Sequence, residues 1–253
     1  YDELAQPGTC GVGYNSLRFD DEVTRFTLWR NFYDPYAREY SRGNSRWDLI
    51  DVVRCFYALR PDSLNWPTRP DGAPSFKLED LTAANGLEHG AAHDAMSDVT
   101  ATLALARALR SADRALFDEL LAMRFKARVE ALVDINAMTP LVYVSGLMGT
   151  ERACLGVIAP LAVHPEYKSD IICADLSHEP DFLSMTPEQI QARLFAKGDE
   201  LASPSDRPGL MTIKVNKAPV LLPIQHVSPD IAARLGLDGD RLRGNLAILR
   251  QAR

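Results

Sequence analysis

Two short segments carry side chains that could do chemistry together: Asn15-Ser16-Leu17-Arg18-Phe19-Asp20 and His93-Asp94-Ala95-Met96-Ser97-Asp98. The first places an aspartate behind an aromatic at the end of a short apolar run. The second places a histidine and a later aspartate in or just before an apolar helix that starts near Ala95. Two carboxylates and one imidazole drawn from separate segments meet the needs of metal-assisted phosphodiester hydrolysis. The carboxylates hold divalent ions that polarise the phosphate and activate water. An imidazole, with an unperturbed pKa of about 6.5, can take the proton of the attacking water.

A plainer role competes for each residue. Asp20 and Asp98 both fall near predicted helix starts, where acidic side chains are favoured by capping and by the macrodipole alone. On a regular helix a five-residue offset turns about 140° around the axis. His93 and Asp98 therefore converge only if His93 lies in the loop before the helix, which Gly86, Gly90 and the pair Glu88-His89 predict.

The wording around the two segments decides between these roles. Asn15-x-x-x-Phe19-Asp20 and His93-x-x-x-x-Asp98 resemble the second and third motifs of the DEDDh exonucleases. Arg18 to Arg25, Arg30 to Tyr36, Asn44 to Leu49, Tyr57 to Pro61, Pro74 to Glu79 and Lys126 to Val133 resemble the bacterial exodeoxyribonuclease I family specifically. So do Pro140 to Gly146, Ala159-Pro160-Leu161 and Asn216 to Leu221, which extends the likeness over nearly the whole chain.

That resemblance implies a 3′→5′ exonuclease of single-stranded DNA that releases 5′-mononucleotides in DNA repair or recombination. It implies His93 as general base and Asp20 and Asp98 as ligands of a two-ion Mg²⁺ site, with Mn²⁺ as a substitute. It places Arg25, Tyr36, Arg54 and Lys77 on the DNA; the family has arginine where Lys77 stands, and lysine loses the bidentate phosphate geometry. The fold it implies is α/β plus β-rich: a partial ribonuclease-H-like exonuclease core over residues 1–112, then a linker helix and SH3-like domain over 113–253. Single-strand-binding protein is the implied partner. A ribonuclease trimming RNA 3′ ends shares both motifs, but the β-rich module after residue 140 favours the DNA enzyme. The family also requires an Asp-x-Glu pair on an earlier strand. The only such spacing, Asp20-Asp21-Glu22, reuses Asp20 at a helix start and cannot be that pair. Because Tyr1 opens the chain without methionine, the expectation is an inactive piece of a longer enzyme, whose first strands lie upstream and whose C-terminal helical domain lies downstream. A non-catalytic single-strand-binding module is the reading from another class.

Composition sets wider bounds. The 253 residues, 46% apolar, can bury one large or two modest cores. A formal charge of −6 argues against a generic basic nucleic-acid coat but not against a site that gathers carboxylates. Cys10, Cys55, Cys154 and Cys173 form no CxxC or Cys/His cluster, which speaks against structural zinc and for a reducing compartment. No apolar run approaches the roughly 20 residues of a membrane span. A cytoplasmic monomer is expected.

Within this acidic chain, Arg25 to Arg69 holds eight arginines against five acidic residues. Aromatics interleave with them, and an arginine–aromatic alternation suits single strands, where bases stack and phosphates need charge. Tyr36 and Tyr40, in a loop after Pro35, are the stacking candidates, while Trp47 fits a buried stripe with Ile50. Lys126, Arg128, Lys214 and Lys217 are further candidates to line a groove.

The elements that must position these residues follow from periodicity. Cys10 to Tyr14 predicts a short buried strand. Asp21 to Phe32 predicts a helix with a stripe at Val23, Phe26, Leu28 and Trp29. Trp47 to Leu59 predicts another, stopped by Pro61, and a proline-rich loop follows over 61–74. Leu78 to Asn85 predicts a helix ended by Gly86. Val99, Leu103, Ala106 and Leu109 mark the buried face of the helix carrying Asp98. A long helix follows over Arg114 to Leu132. Strands are expected at Leu141–Val144, Leu155–Ile158, Ile171–Ala174 and Met211–Val215, then helices at Pro229–Leu235 and Leu242–Leu249.

Overall fold

The structure, a computed structural model, describes residues 2–87, 95–196 and 208–252. It divides into two compact units. One gathers Tyr1–Glu130, Val144–Leu155 and Asn216–Leu221; the other gathers Ala131–Tyr143, Gly156–Val215 and Leu222–Arg253.

In the first unit, strand β1 (Cys10–Gly13) runs parallel to β2 (Ser45–Asp48), with Cys10 opposite Ser45 and Gly13 opposite Asp48. Helices α1 (Asp20–Arg30) and α2 (Ala37–Tyr40) fill the crossover. Helix α3 (Leu49–Leu59) starts directly from β2 because the Asp48 carboxylate caps it, accepting the Ile50 N–H. Pro61 ends it as expected. Its inward residues Leu49, Val52, Val53, Phe56 and Leu59 are fully or almost fully buried. Helices α4 (Leu78–Ala84), α5 (Ala95–Ala112), α6 (Arg114–Ala122) and α7 (Lys126–Leu132) follow. Asp113 caps α6 through one oxygen and takes the Arg60 Nε–H through the other at 2.8 Å.

Five expectations need correction. The helix expected from Trp47 starts at Leu49, because Ser45–Asp48 is a strand whose four residues are all buried. Ser45, Arg46 and Asp48 are polar, so hydrophobic alternation could not reveal it. The long helix over Arg114 to Leu132 is two helices separated at Met123–Phe125. On α5 the fully buried residues are Leu105 and Leu109, whereas Val99 and Leu103 are 62% and 48% exposed. On α1 the buried residues are Asp21 and Leu28, while Val23, Phe26 and Trp29 face outward. Strand β1 is found as expected but is only half-buried, with Val12 exposed.

The second unit holds most of a five-stranded sheet in the order β6-β5-β4-β3-β7, formed by β3 (Leu141–Val144), β4 (Leu155–Val163), β5 (Asp170–Asp175), β6 (Leu210–Lys214) and β7 (Val220–Pro223). Strands β4, β5 and β6 pair antiparallel, with a bulge between Pro160 and Ala162. Helices α8 (Pro187–Leu194), α9 (Pro229–Arg234) and α10 (Gly239–Gln251) accompany it. Val157, Ala159, Ala174, Leu176, Phe182, Leu246 and Leu249 share one core. Asn245 of α10 is buried there and donates to the Leu176 and His178 carbonyls, both at 2.9 Å. The α2, α8 and β7 elements were not legible in the sequence. No helix among the described residues is long and apolar enough to cross a membrane.

Candidate functional site

Asp20 and Asp98 line one cleft of about 1060 Å³ in the first unit. Asp20 opens α1, and Asp98 sits in the first turn of α5. Asp20 is not the cap of α1: the position before the helix is Phe19, which makes no side-chain cap bond. Both side chains are exposed. Beyond the two aspartates, Tyr14, Ser16, Ser97 and Thr102 supply polar groups, and Val12, Val99 and Leu103 supply an apolar wall. His93 lies outside the described residues, so its convergence on Asp98 has no geometry here.

The turn that carries Asp20 into the cleft is held from β2. The buried Asp48 carboxylate accepts N–H groups from Asn15 at 2.7 Å, Leu17 at 3.1 Å and Ile50 at 3.0 Å. Asn15 adopts a left-handed backbone, φ +57°, which an asparagine tolerates better than most residues. Burial pushes the Asp48 carboxyl above the ordinary aspartate value, against the opposing pull of its three N–H donors.

A network of ion pairs fixes the inner face of α1. Asp21, buried, accepts from Arg38 at 2.9 Å and from Arg46 at 2.6 Å. Glu39 takes Arg25 through both oxygens at 2.7 and 2.9 Å and also meets Arg46 at 3.1 Å. The Glu39 hydrogen bonds hold the Arg25 guanidinium above its ordinary pKa. Among the expected DNA contacts, Arg25 is thus committed to carboxylates on one edge while its guanidinium stacks on the Tyr36 ring at 5.2 Å. Tyr36 and Tyr40 are exposed, as stacking requires.

Arg54 is mostly buried, bonded to Asp51 at 2.5 Å and stacked on Phe76 at 5.7 Å, and its Nε has no partner. A Cβ at Gly146 would stand 3.1 Å from that guanidinium, so glycine there leaves room for it. Lys77, before α4, is largely exposed and pairs loosely with Glu79 at 3.6 Å. Lys126 pairs with Glu130 at 3.3 Å along α7. Arg124 is a cleft residue the sequence did not single out. Its guanidinium stacks on Phe125 at 4.2 Å and its buried Nε lacks a partner. The run Arg124-Phe125-Lys126 was the only signal.

Two exposed aspartates with hard oxygen donors suit Mg²⁺ or Mn²⁺. They supply only part of a set, since no group of three or more His, Cys, Asp or Glu side chains gathers among the described residues.

An α/β unit with two helix-start aspartates in one cleft, followed by a β-rich unit, is the layout of an exonuclease domain joined to an SH3-like one. Family models agree: residues 1–106 match the "Exonuclease" domain and residues 124–253 the "Exonuclease I SH3-like domain". The chain belongs to the exodeoxyribonuclease I family. It is 46% identical to exodeoxyribonuclease I of Haemophilus influenzae over 251 residues, 98% of this chain and 53% of that relative. Identity to the Escherichia coli enzyme is also 46%, over 97% of this chain and 52% of the relative. The structure of E. coli Exonuclease I in complex with a dA16 oligonucleotide matches at a TM-score of 0.94, with 44% identity, over 99% of this chain and 54% of that one. The chain therefore spans about half the length of the curated relatives it matches. Further solved relatives are an ExoI/SSB-Ct complex and a zinc-ion-bound E. coli ExoI–ssDNA complex, so divalent-ion binding occurs in the family.

Proposed function

We propose that this chain belongs to a 3′→5′ exonuclease that degrades single-stranded DNA to 5′-mononucleotides with Mg²⁺. The observation that carries the reading is the meeting of Asp20 and Asp98, remote in sequence, in one cleft. Asp20 and Asp98 hold part of the divalent-ion set, and His93 takes the proton of the attacking water. The ions, when bound, supply Lewis-acid polarisation of the scissile phosphate. Arg54, Lys77, Arg124 and Lys126 carry the phosphates toward the cleft, and Tyr36 and Tyr40 offer rings to the bases. Residues 1–112 are the catalytic part, and 113–253 a linker and SH3-like clamp that lengthens the DNA path. The solved ExoI/SSB-Ct complex supports single-strand-binding protein as a partner. Four free cysteines support a cytoplasmic setting.

The 253 residues hold no strand-borne Asp-x-Glu. That favours a second reading for this stretch taken alone, a single-strand binder without turnover. One experiment separates them. The chain, alone and joined to the remainder of its natural sequence, is incubated with 5′-labelled single-stranded DNA and Mg²⁺. Chelator-sensitive shortening from the 3′ end by the joined protein supports the enzyme. Binding without shortening in both forms supports the binder.

A further inference from the structure

Helix α1 is packed inside out. Its inward positions are Asp21, Thr24, Arg25 and Leu28, three of them polar, and the two charged ones are spent on Arg38, Arg46, Glu39 and Glu22. Its large apolar residues point to solvent: Phe26 is 64% exposed and Trp29 68%. Hydrophobic burial, the main favourable term in folding, is given up along this face. The surface that results is organised. Glu22, Arg25, Phe26 and Trp29 recur at i, i+3, i+4 and i+7 and so share one side of the helix. Pro35 and Tyr36 stand against them and flank an open hollow of about 390 Å³.

The hollow is held in shape, and the two charged residues that line it, Glu22 and Arg25, pair with each other. Asp34 accepts the N–H groups of Tyr36 and Ala37 at 2.8 and 3.0 Å, which fixes the facing segment. Arg25 stacks on Tyr36 while both oxygens of Glu39 grip it. Asp21, Glu22 and Glu39 balance Arg25, Arg38 and Arg46. Such a place does not attract a phosphate. It offers aromatic faces to a flat, neutral ring, and it shares Tyr36 with the proposed DNA path.

We infer that this hollow binds one nucleobase of the single strand by stacking against Trp29 and Phe26. The inference rests on the single-stranded DNA reading above and adds to it a stacking site that neither motif contains. A protein segment laid over the same face would have to desolvate the half-exposed Glu22 beside Arg25. A base can leave that pair at its rim.

Trp29 makes the test direct, because Trp47 is buried and Trp66 is partly covered and donates to the Pro61 carbonyl at 2.6 Å. The 253-residue chain is titrated with an oligothymidylate and with an abasic oligomer of equal length, following labelled-strand anisotropy and tryptophan emission. Oligothymidylate should quench the emission, and the abasic strand should bind through its phosphates without doing so. Trp29→Ala should weaken oligothymidylate binding about 5- to 150-fold, the range of a base–aromatic stack. It should leave abasic binding and the salt dependence unchanged, and Trp29→Phe should restore affinity. If Trp29→Ala binds both strands as the parent does, the inference is overturned and the face serves a protein instead. If the parent binds neither strand, the DNA reading itself fails, and the inference with it.

Discussion

The carboxylate of Asp48 accepts the backbone N–H of Asn15 at 2.7 Å and so ties the end of β2 to the turn that delivers Asp20. The same side chain serves Leu17 and caps α3, so one buried acid sets the placement of a cleft residue and of a core helix.

Asp48→Ala should therefore lose about 1–3 kcal/mol or more, since buried N–H groups left without an acceptor carry their full desolvation penalty. Asp48→Asn provides a pH test. Burial raises the folded pKa above the ordinary 3.8, so the native state binds the proton more tightly than the unfolded one. That contribution is fully present below 3.8 and is lost as pH rises through the folded value. Urea midpoints across the acid range should show the parent losing stability relative to Asp48→Asn as pH increases through that window. A constant difference would contradict the assignment.

Asp21→Ala should destabilise by about 3–5 kcal/mol, because it leaves Arg38 and Arg46 buried without their shared carboxylate. Lys77→Ala, at an exposed position, should stay within about 0.5 kcal/mol of the parent. Urea unfolding of the two variants side by side checks both.

These ion pairs show what sequence could and could not reveal. Asp20 and Asp98 could be picked out because motif wording fixes residue type and spacing; that both line one cleft appears only once α1 and α5 form. The α1 and α5 stripes were right only in part: Leu28 and Leu109 are buried, whereas Val23, Phe26, Trp29, Val99 and Leu103 are exposed. Periodicity reports which residues share a face, not whether that face is turned to core or cleft. Val99 and Leu103 line the cleft, and Phe26 and Trp29 the hollow. Strand β2 was hidden because three of its four buried residues are polar, and Arg46 and Asp48 are satisfied by charge and hydrogen bonds rather than by apolar contact. Arg124 escaped notice because its place in the cleft depends on the break between α6 and α7, which no helix-breaking residue marks.

Phosphate contacts should appear as salt dependence. Each of Lys77→Ala and Lys126→Ala should lower the slope of log affinity against log salt by about 0.7 for a single strand. Lys77→Arg should tighten binding, since a guanidinium can grip a phosphate with two parallel bonds. Slopes equal to the parent's would remove these lysines from the DNA path.

In the protein that joins this chain to its natural remainder, His93→Ala should cut turnover about 10²–10⁴-fold while leaving DNA affinity nearly intact. Single-turnover cleavage measured beside binding separates the two effects. Retention of most of the rate would return His93 to an ordinary surface histidine.

The central claim is that Asp20 and Asp98 share one divalent-ion site, and Mn²⁺ binding to this chain, followed by electron paramagnetic resonance, tests it most directly. Asp20→Asn, Asp98→Asn and the double variant form a cycle. Each single substitution should abolish most of the binding seen in the parent, and the double should be no worse than either single. Independent, additive losses, or parent-like binding in both single variants, would contradict a shared site.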